Sequence, residues 1–186
     1  MSPAPIDIRS DQQLVDAINT GDSNAFEVLY FRHRDWTVRL ALRFTGHHDD
    51  ALDVLQETFA YLARKFPGFV LTAALTTFLY PAVKNFSIAV RRKRRRATGN
   101  EDLLPLIAAS ATSPATQSAL DRDDWQIRFS GLSPEHQEVL MLRFVDGLTL
   151  PEIATALDLP PGTVKSRLHY AIQKAKQLQH EDTDPL

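Results

Sequence analysis

The sequence predicts an all-α protein of two small helical domains joined by a flexible linker, the C-terminal one carrying a helix-turn-helix. Three observations lead there. Apolar residues recur at three- and four-residue steps over most of the chain, and no stretch of useful length alternates with period two. Residues 97–118 drop that periodicity for Ala, Ser, Thr and Pro, the composition of a linker. Beyond them, a short capped helix, a tight turn and a longer helix follow one another.

Ser10 and Gln13 have the spacing of a capping box, in which each side chain satisfies a free N–H of the first turn. Leu14, Val15 and Ile18 share one face of that helix, and Gly21 supplies a left-handed stop. A second helix is written by Phe26, Leu29, Tyr30, His33, Trp36, Thr37, Leu40, Ala41 and Phe44, about six turns ending at Gly46. A third begins near Asp49, where acids meet the positive end of the helix dipole. It reads as running to Phe66, with Leu52, Leu55, Phe59, Leu62 and Ala63 apolar and Pro67-Gly68 as its end. A fourth pattern (Leu75, Phe78, Leu79, Ala82, Val83, Phe86, Val90) leads into six consecutive cations, Arg91 to Arg96. Pro81 deletes a ladder hydrogen bond there, so the helix is expected to start near Phe78 or to kink.

In the last third, Leu120, Trp125, Ile127 and Phe129 mark a further helix. Ser133-Pro134 opens another that ends near Asp146-Gly147. Thr149 and Glu152 repeat the capping-box spacing over a helix to Leu157, and Pro161 opens the last, through about Gln179. The expected domains are residues 8–96 and 119–180, with 97–118 between them.

Bulk composition bounds the function more than it names it. The chain has 186 residues, 44% apolar and 24% charged, with a formal net charge of −2. A global positive field is therefore absent, and any argument for nucleic acid must rest on where the cations sit. There is no cysteine, which excludes disulfides, thiolate nucleophiles and cysteine-bearing zinc sites. No apolar run approaches a membrane span and Met1 to Arg9 lacks a signal-peptide layout, so a cytoplasmic protein with no membrane contact of its own is expected. The seven glycines are scattered, and no Ser/His/Asp grouping appears, so neither a nucleotide cradle nor a catalytic residue is assigned. No cofactor is implied. His47-His48-Asp49-Asp50 invites a metal, but adjacent residues do not share a helix face and capping already explains the acids, so no metal site is assigned.

Two constellations remain. From Gly162 to Leu178 every charged side chain is basic, namely Lys165, Arg167, Lys174 and Lys176. Ile153, Ala154, Leu157, Val164, Leu168 and Ile172 can form the packing seam. That leaves Thr163, Lys165, Ser166, Arg167, His169 and Tyr170 toward the outside. On composition alone an ordinary αα-hairpin with a solvated basic face explains this as well as DNA binding does. The run Arg91 to Arg96 exceeds what relief of a helix dipole needs, and phosphate contact is the better reading.

Asp53-Val54-Leu55-Gln56-Glu57-Thr58-Phe59 resembles the polymerase-docking helix of bacterial sigma factors. Gly21-Asp22, Ala25-Phe26 and Leu29-Tyr30 resemble the opening of the same domain, and Phe78-Leu79-Tyr80, Asn85 and the arginines its promoter-facing helix. Leu132-Ser133-Pro134, Glu152-Ile153-Ala154 and Gly162-Thr163-Val164-Lys165-Ser166-Arg167-Leu168 are similar to the family's −35-binding domain. The short separation leaves no room for an intermediate domain, which points to the extracytoplasmic-function (ECF) group.

The resemblance implies a non-catalytic initiation factor whose partners are core RNA polymerase, promoter DNA and an anti-sigma factor. Asp53, Gln56 and Glu57 would hold the polymerase. Phe69, Asn85, Arg91, Arg92 and Arg95 would serve the −10 element, with the loop from Pro67 to Ala74 taking up a base flipped from the non-template strand. Thr163, Lys165, Ser166, Arg167, His169 and Lys174 would serve the −35 element, with Arg167 the first candidate for a base and Lys165 and Lys174 for phosphates. Four positions depart from the pattern: Phe78 for Trp, Pro81 for a helix former, Asp158 for the turn glycine, and Tyr170 with Ile172 where arginines are common. A helix-turn-helix regulator outside the sigma family shares Gly162 to Leu168 but has no reason to carry the Asp53-Gln56-Glu57 helix. A helical hydrolase using His47 to Asp50 is the other rival.

Overall fold

Several helices of the structure, a computed structural model that describes residues 7–98 and 131–181, start and stop on local chemistry. Ser10 caps α1 (Asp11–Asn19): Gln13 N donates to Ser10 Oγ at 3.2 Å and Ser10 N to Gln13 Oε1 at 2.8 Å. Gly21 takes φ +101°, the left-handed stop the sequence predicts. Asp22 caps α2 (Ser23–Thr45), accepting from Asn24 N and Ala25 N, and Arg9 bridges that same carboxylate to Asp7. Gly46 closes α2 at φ +74°. α3 (His48–Ala63) carries Asp49 and Asp50 in its first turn, on the positive end of its dipole.

The inner face of α3 differs from the sequence reading at its edge. Ala51, Val54, Leu55, Thr58, Phe59 and Leu62 are buried, whereas Leu52 is 37% exposed and Ala63 also faces solvent. At about 100° per residue the buried set centres on Leu55 and Leu62, and Leu52 and Ala63 fall just outside the stripe. The helix also ends three residues before Phe66, which folds back into a turn with its N–H on Ala63 O.

α4 (Leu75–Thr98) is continuous, and this corrects the expectation of a break at Pro81. Thr77 N donates to Ala74 O at 3.0 Å, which tightens the first turn. Proline at the seventh helical position then leaves the Thr77 carbonyl without its ladder donor. Leu75, Leu79, Tyr80 and Val83 are buried around it, and side chains of this size contribute roughly 1.5–3 kcal/mol each on burial, so packing outweighs one lost bond. The helix also runs two residues into the stretch read as linker.

α1–α4 close around one core of Leu14, Val15, Ala25, Val28, Leu29, Leu55, Phe59, Leu62, Leu75 and Leu79. Phe59 meets Phe26 and Tyr30 edge-on, with ring centroids 6.4 and 4.8 Å away. Asp11 fastens α1 to α2: its carboxylate meets buried His33 Nε2 at 2.8 Å and Arg32 at 2.7 Å. Burial raises the Asp11 carboxyl, but the His33 and Arg32 bonds outweigh it and hold it below its ordinary range.

The second unit contains α5 (Pro134–Leu140), a π-helical turn (Met141–Val145), α6 (Leu150–Leu157) and α7 (Pro161–Glu181). Thr149 and Glu152 form the expected capping box, Thr149 N donating to Glu152 Oε2 at 2.8 Å. Asp158 sits at φ +53°, so aspartate does supply the left-handed turn. Leu132, Leu140 and Ala171 pack with Leu168 and Ile172, and Ile153 and Val164 are fully buried. The described residues of both units are helical or irregular, with no strand among them. The linker and the helix read around Leu120 to Phe129 lie outside them.

Pro81→Ala restores a ladder donor at a helical position without opening a large cavity. Setting roughly 3 kcal/mol of helix penalty against about 1 kcal/mol of unfolded-state entropy, the variant is expected to be more stable by about 1–2 kcal/mol. A urea melt showing equal or lower stability would place proline's contribution in packing instead.

Candidate functional site

The helix that carries the core of the first unit also carries its most distinctive surface. On α3, Asp53, Gln56 and Glu57 are all exposed, at i, i+3 and i+4, and form one polar stripe opposite the buried face. Changing them alters no core contact, which separates this surface from the fold that presents it.

The loop 64–74 leads from α3 to α4 against the C-terminal end of α1. Asn19 Nδ2 donates to Phe69 O at 2.8 Å, and its Oδ1 accepts from Gly68 N at 2.7 Å and Phe69 N at 3.2 Å. Sequence reading missed Asn19, because nothing in a single sequence joins residues so far apart. The Phe69 ring is half-buried and packs on Phe66 at 5.5 Å and Phe78 at 4.7 Å. Its side chain thus belongs to an aromatic row that continues through Phe78 stacked on Tyr61. Val70 is the large apolar side chain that the loop leaves to solvent, 71% exposed.

Asn85 is exposed on α4, and Arg92 lies two turns further along the same stripe. Arg92, Lys93, Arg95 and Arg96 are exposed, whereas Arg91 is half-buried. Burial, and after it the neighbouring Arg95, pulls the Arg91 guanidinium below its ordinary value. Arg94 is engaged with Asp50 at 3.1 Å, so one of the six cations ties α4 to the start of α3. That pair takes up one acid of the His47 to Asp50 cluster, and no metal-binding group of His, Asp and Glu occurs among the described residues.

In the second unit α6, the turn at Asp158 and α7 make the helix-turn-helix. Lys165, Ser166, His169 and Tyr170 are exposed along the start of α7. Thr163, Arg167 and Lys174 are half-buried. The sequence reading put Arg167 on the outer side, and the structure leaves it half-buried, near enough to the start of α5 for its charge to act on Glu135. There Ser133 Oγ donates to Glu135 at 2.8 Å and lies 2.7 Å from His136 Nδ1, and His136 meets the Tyr170 ring at 4.6 Å. Glu135 is held below its ordinary carboxylate value, first by the Ser133 hydroxyl, then by its own backbone N–H, and also by the charge of Arg167.

Comparison with known proteins fits these surfaces. Residues 29–97 match the family profile described as Sigma-70 region 2, and residues 129–177 that of Sigma-70, region 4. RNA polymerase sigma-H factor of Pseudomonas aeruginosa is 30% identical over 181 residues, covering 90% of this chain and 94% of that protein. ECF RNA polymerase sigma factor SigL of Mycobacterium tuberculosis is 32% identical over 163 residues, 86% of this chain and 91% of SigL. The solved structure of CnrH in complex with the cytosolic domain of CnrY shares the fold, with a TM-score of 0.66 at 24% identity over 93% of this chain and 99% of that one.

The two profiles, in this order, define a sigma factor, and the chain belongs to the sigma-70 family. Within it the chain belongs to the ECF group and directs promoter-specific transcription by RNA polymerase. A helix-turn-helix regulator from outside the family does not account for the match over residues 29–97.

The Ser133–Glu135 contact gives a measurement on this site. Glu135 is expected to titrate below the usual glutamate range of about 4.3, and Ser133→Ala to raise its midpoint. Because its folded value is depressed, its small contribution to stability is present above the unfolded value and fades as pH falls through the folded one. Carboxyl-resolved NMR titration of the two proteins checks this, and an unmoved Glu135 midpoint in Ser133→Ala would discount the hydroxyl.

Proposed function

We propose that residues 8–96 bind core polymerase and the −10 element, that 97–118 link the domains, and that 119–180 bind the −35 element. The observation that supports this best is the exposed Asp53–Gln56–Glu57 stripe on an otherwise buried helix, in a chain that also carries a helix-turn-helix. Asp53, Gln56 and Glu57 dock on core polymerase, polar groups suiting a face that is solvated when unbound. The loop from Pro67 to Ala74, with Asn85, takes up a base flipped from the non-template strand. Hydrogen bonds and shape there offset an unstacking cost of roughly a few kcal/mol. Arg92 and Arg95 track phosphates, and Arg91 adds positive potential from a more sheltered position.

On α7, Lys165, Ser166 and His169 face outward on the first two turns, where a recognition helix meets base edges. Thr163 lies beside them and Lys174 holds a phosphate further along. Arg167 is half-buried while Lys165 beside it is exposed, so the base-reading role is assigned here to Lys165. The protein performs no catalysis of its own and works in the cytoplasm, where core polymerase is. An anti-sigma factor is its expected regulator; RpoE of Bartonella quintana, of similar fold, was solved with its anti-sigma factor NepR. Among the described residues no helix is long and apolar enough to cross a membrane.

In vitro transcription with core polymerase on a library of random promoters tests the whole reading and returns the recognised elements. Failure to initiate from any of them would refute it. Replacing Asp53, Gln56 and Glu57 together by Ala is expected to leave stability within about 1 kcal/mol, since exposed changes are mild. Core-polymerase binding should fall sharply, and undiminished binding by the folded triple variant would remove the docking role.

The two lysines of α7 should separate in mutant signature. Lys165→Ala is expected to cost on the order of 1–3 kcal/mol on the preferred promoter and to relax selectivity at one −35 position. Lys174→Ala should weaken all promoters alike and lower the salt slope by about one unit. Both are read in the holoenzyme, and a uniform loss from Lys165→Ala would make it a phosphate contact.

A further inference from the structure

We propose that Asn19 is the positioning residue of the −10-reading loop, acting on DNA selectivity without touching DNA. This rests on the assignment of the loop from Pro67 to Ala74 to the −10 element, and it adds a residue from a different part of the chain. Asn19 is the last residue of α1 and half-buried. Its amide makes three hydrogen bonds to two consecutive residues of the loop: one to the Phe69 carbonyl and two from the N–H groups of Gly68 and Phe69. An amide is suited to this task, since one oxygen accepts twice while the nitrogen donates. Aspartate would keep the acceptor and set a second carboxylate oxygen against the Phe69 carbonyl. Alanine would leave all three backbone groups unpaired.

The place of the clamp matters as much as its geometry. Gly68 is at φ +101°, a conformation open to many neighbouring ones for glycine, so the backbone alone does not fix the direction in which the loop leaves α3. Asn19 and the packing of the Phe69 ring on Phe66 and Phe78 fix it there. The chain beyond, beginning with exposed Val70, is thereby presented in one direction. Asn19 is itself rigidly based, because α1 is fastened to α2 by Asp11 on His33 and Arg32. A shaped pocket for an unstacked base works only if its walls are held before the base arrives, since ordering a loop on binding subtracts from affinity.

A purely structural staple would lower stability and leave promoter choice intact. The experiment therefore reads selectivity in reconstituted holoenzyme. Abortive transcription is measured from a promoter selected by the native protein, and from versions of it altered at each −10 and each −35 position. Asn19→Ala is expected to reduce the preference for the matched −10 element roughly tenfold, the effect of losing a few modest hydrogen bonds. Preference at −35 and affinity for core polymerase should be unchanged, and Asn19→Asp should fall between Ala and native. Val70→Gly with Thr72→Gly probes the loop independently of the clamp.

If the loop variant loses −10 preference and Asn19→Ala keeps it, the clamp role is overturned and the loop assignment stands. If neither variant alters −10 preference, the loop assignment fails and takes the clamp with it. If Asn19→Ala lowers −10 preference, −35 preference and core binding in step with its melting temperature, Asn19 is a structural staple only. Should Asn19→Ala not fold, Asn19→Asp carries the test, and unchanged −10 preference in it would count against the proposal.

Discussion

Much of the first unit depends on α3 being buried along one face and bare along the other. Leu55, Phe59 and Leu62 hold α1, α2 and α4 together, so α3 has no freedom to turn. The opposite face then keeps a fixed orientation, and Asp53, Gln56 and Glu57 stay exposed without any hydrogen bond to hold them there. A slide of one residue would rotate the helix by about 100°, bury a carboxylate and expose Phe59 or Leu62. The cost of either outcome is what keeps the stripe in place. The presentation of this surface is a by-product of core packing, and to stay exposed its residues need only be polar.

A second consequence concerns the segments that pack less tightly. The connection from α3 to α4 has no regular structure, yet Asn19 of α1 holds its backbone, and its Phe69 ring packs on Phe66 of the same loop and on Phe78 of α4. Each of these elements is anchored in the same core. A loop of this kind is rigid at its base and exposed at Val70, the arrangement expected of a binding loop set on a fixed scaffold. The helix-turn-helix follows the same logic with fewer residues. Asp158 tolerates the left-handed turn, the Thr149–Glu152 box fixes the start of α6, and Val164 and Ala171 seat α7 so that its first two turns project.

Helix existence and most helix ends were legible in the sequence, because capping and periodicity are local properties. Ser10, Gly21, Gly46, Thr149 and Asp158 all act as their chemistry predicts. The misreadings share a physical cause. Leu52 was placed inside because hydrophobicity says what can be buried, while the position of neighbouring helices decides what is. Pro81 was read as a break because propensity is a local term, and Leu75, Leu79, Tyr80 and Val83 override it through tertiary contact. Arg167 was read as facing outward from a packing seam drawn on α6 and α7 alone, and it is half-buried. Asn19 carried no signal, since its partners are remote in sequence and are backbone groups of no particular residue type. The surface stripe on α3 was legible only by resemblance, and polar residues on a helix face are otherwise unremarked.

The formal charge of −2 poses a question for a DNA-binding chain, and the structure answers it by distribution. A run of cations ends α4 and others line α7, while several acids stand at helix starts. Asp11, Asp22, Asp49, Asp50 and Glu152 all cap or lie in a first turn, where the helix dipole and local donors already hold them. Acids used in this way are partly neutralised where they stand, and their field reaches less far than a count of charges implies. Arg94 is the counterexample, a cation of the basic run taken up by Asp50. That pair ties the middle of the run to α3 while Arg92, Lys93, Arg95 and Arg96 stay exposed. With a Debye length of about 8 Å at physiological salt, it is this local arrangement and not the net charge that any approaching polyanion meets. A near-neutral chain can therefore keep a basic DNA face without the self-repulsion that a uniformly cationic protein would carry.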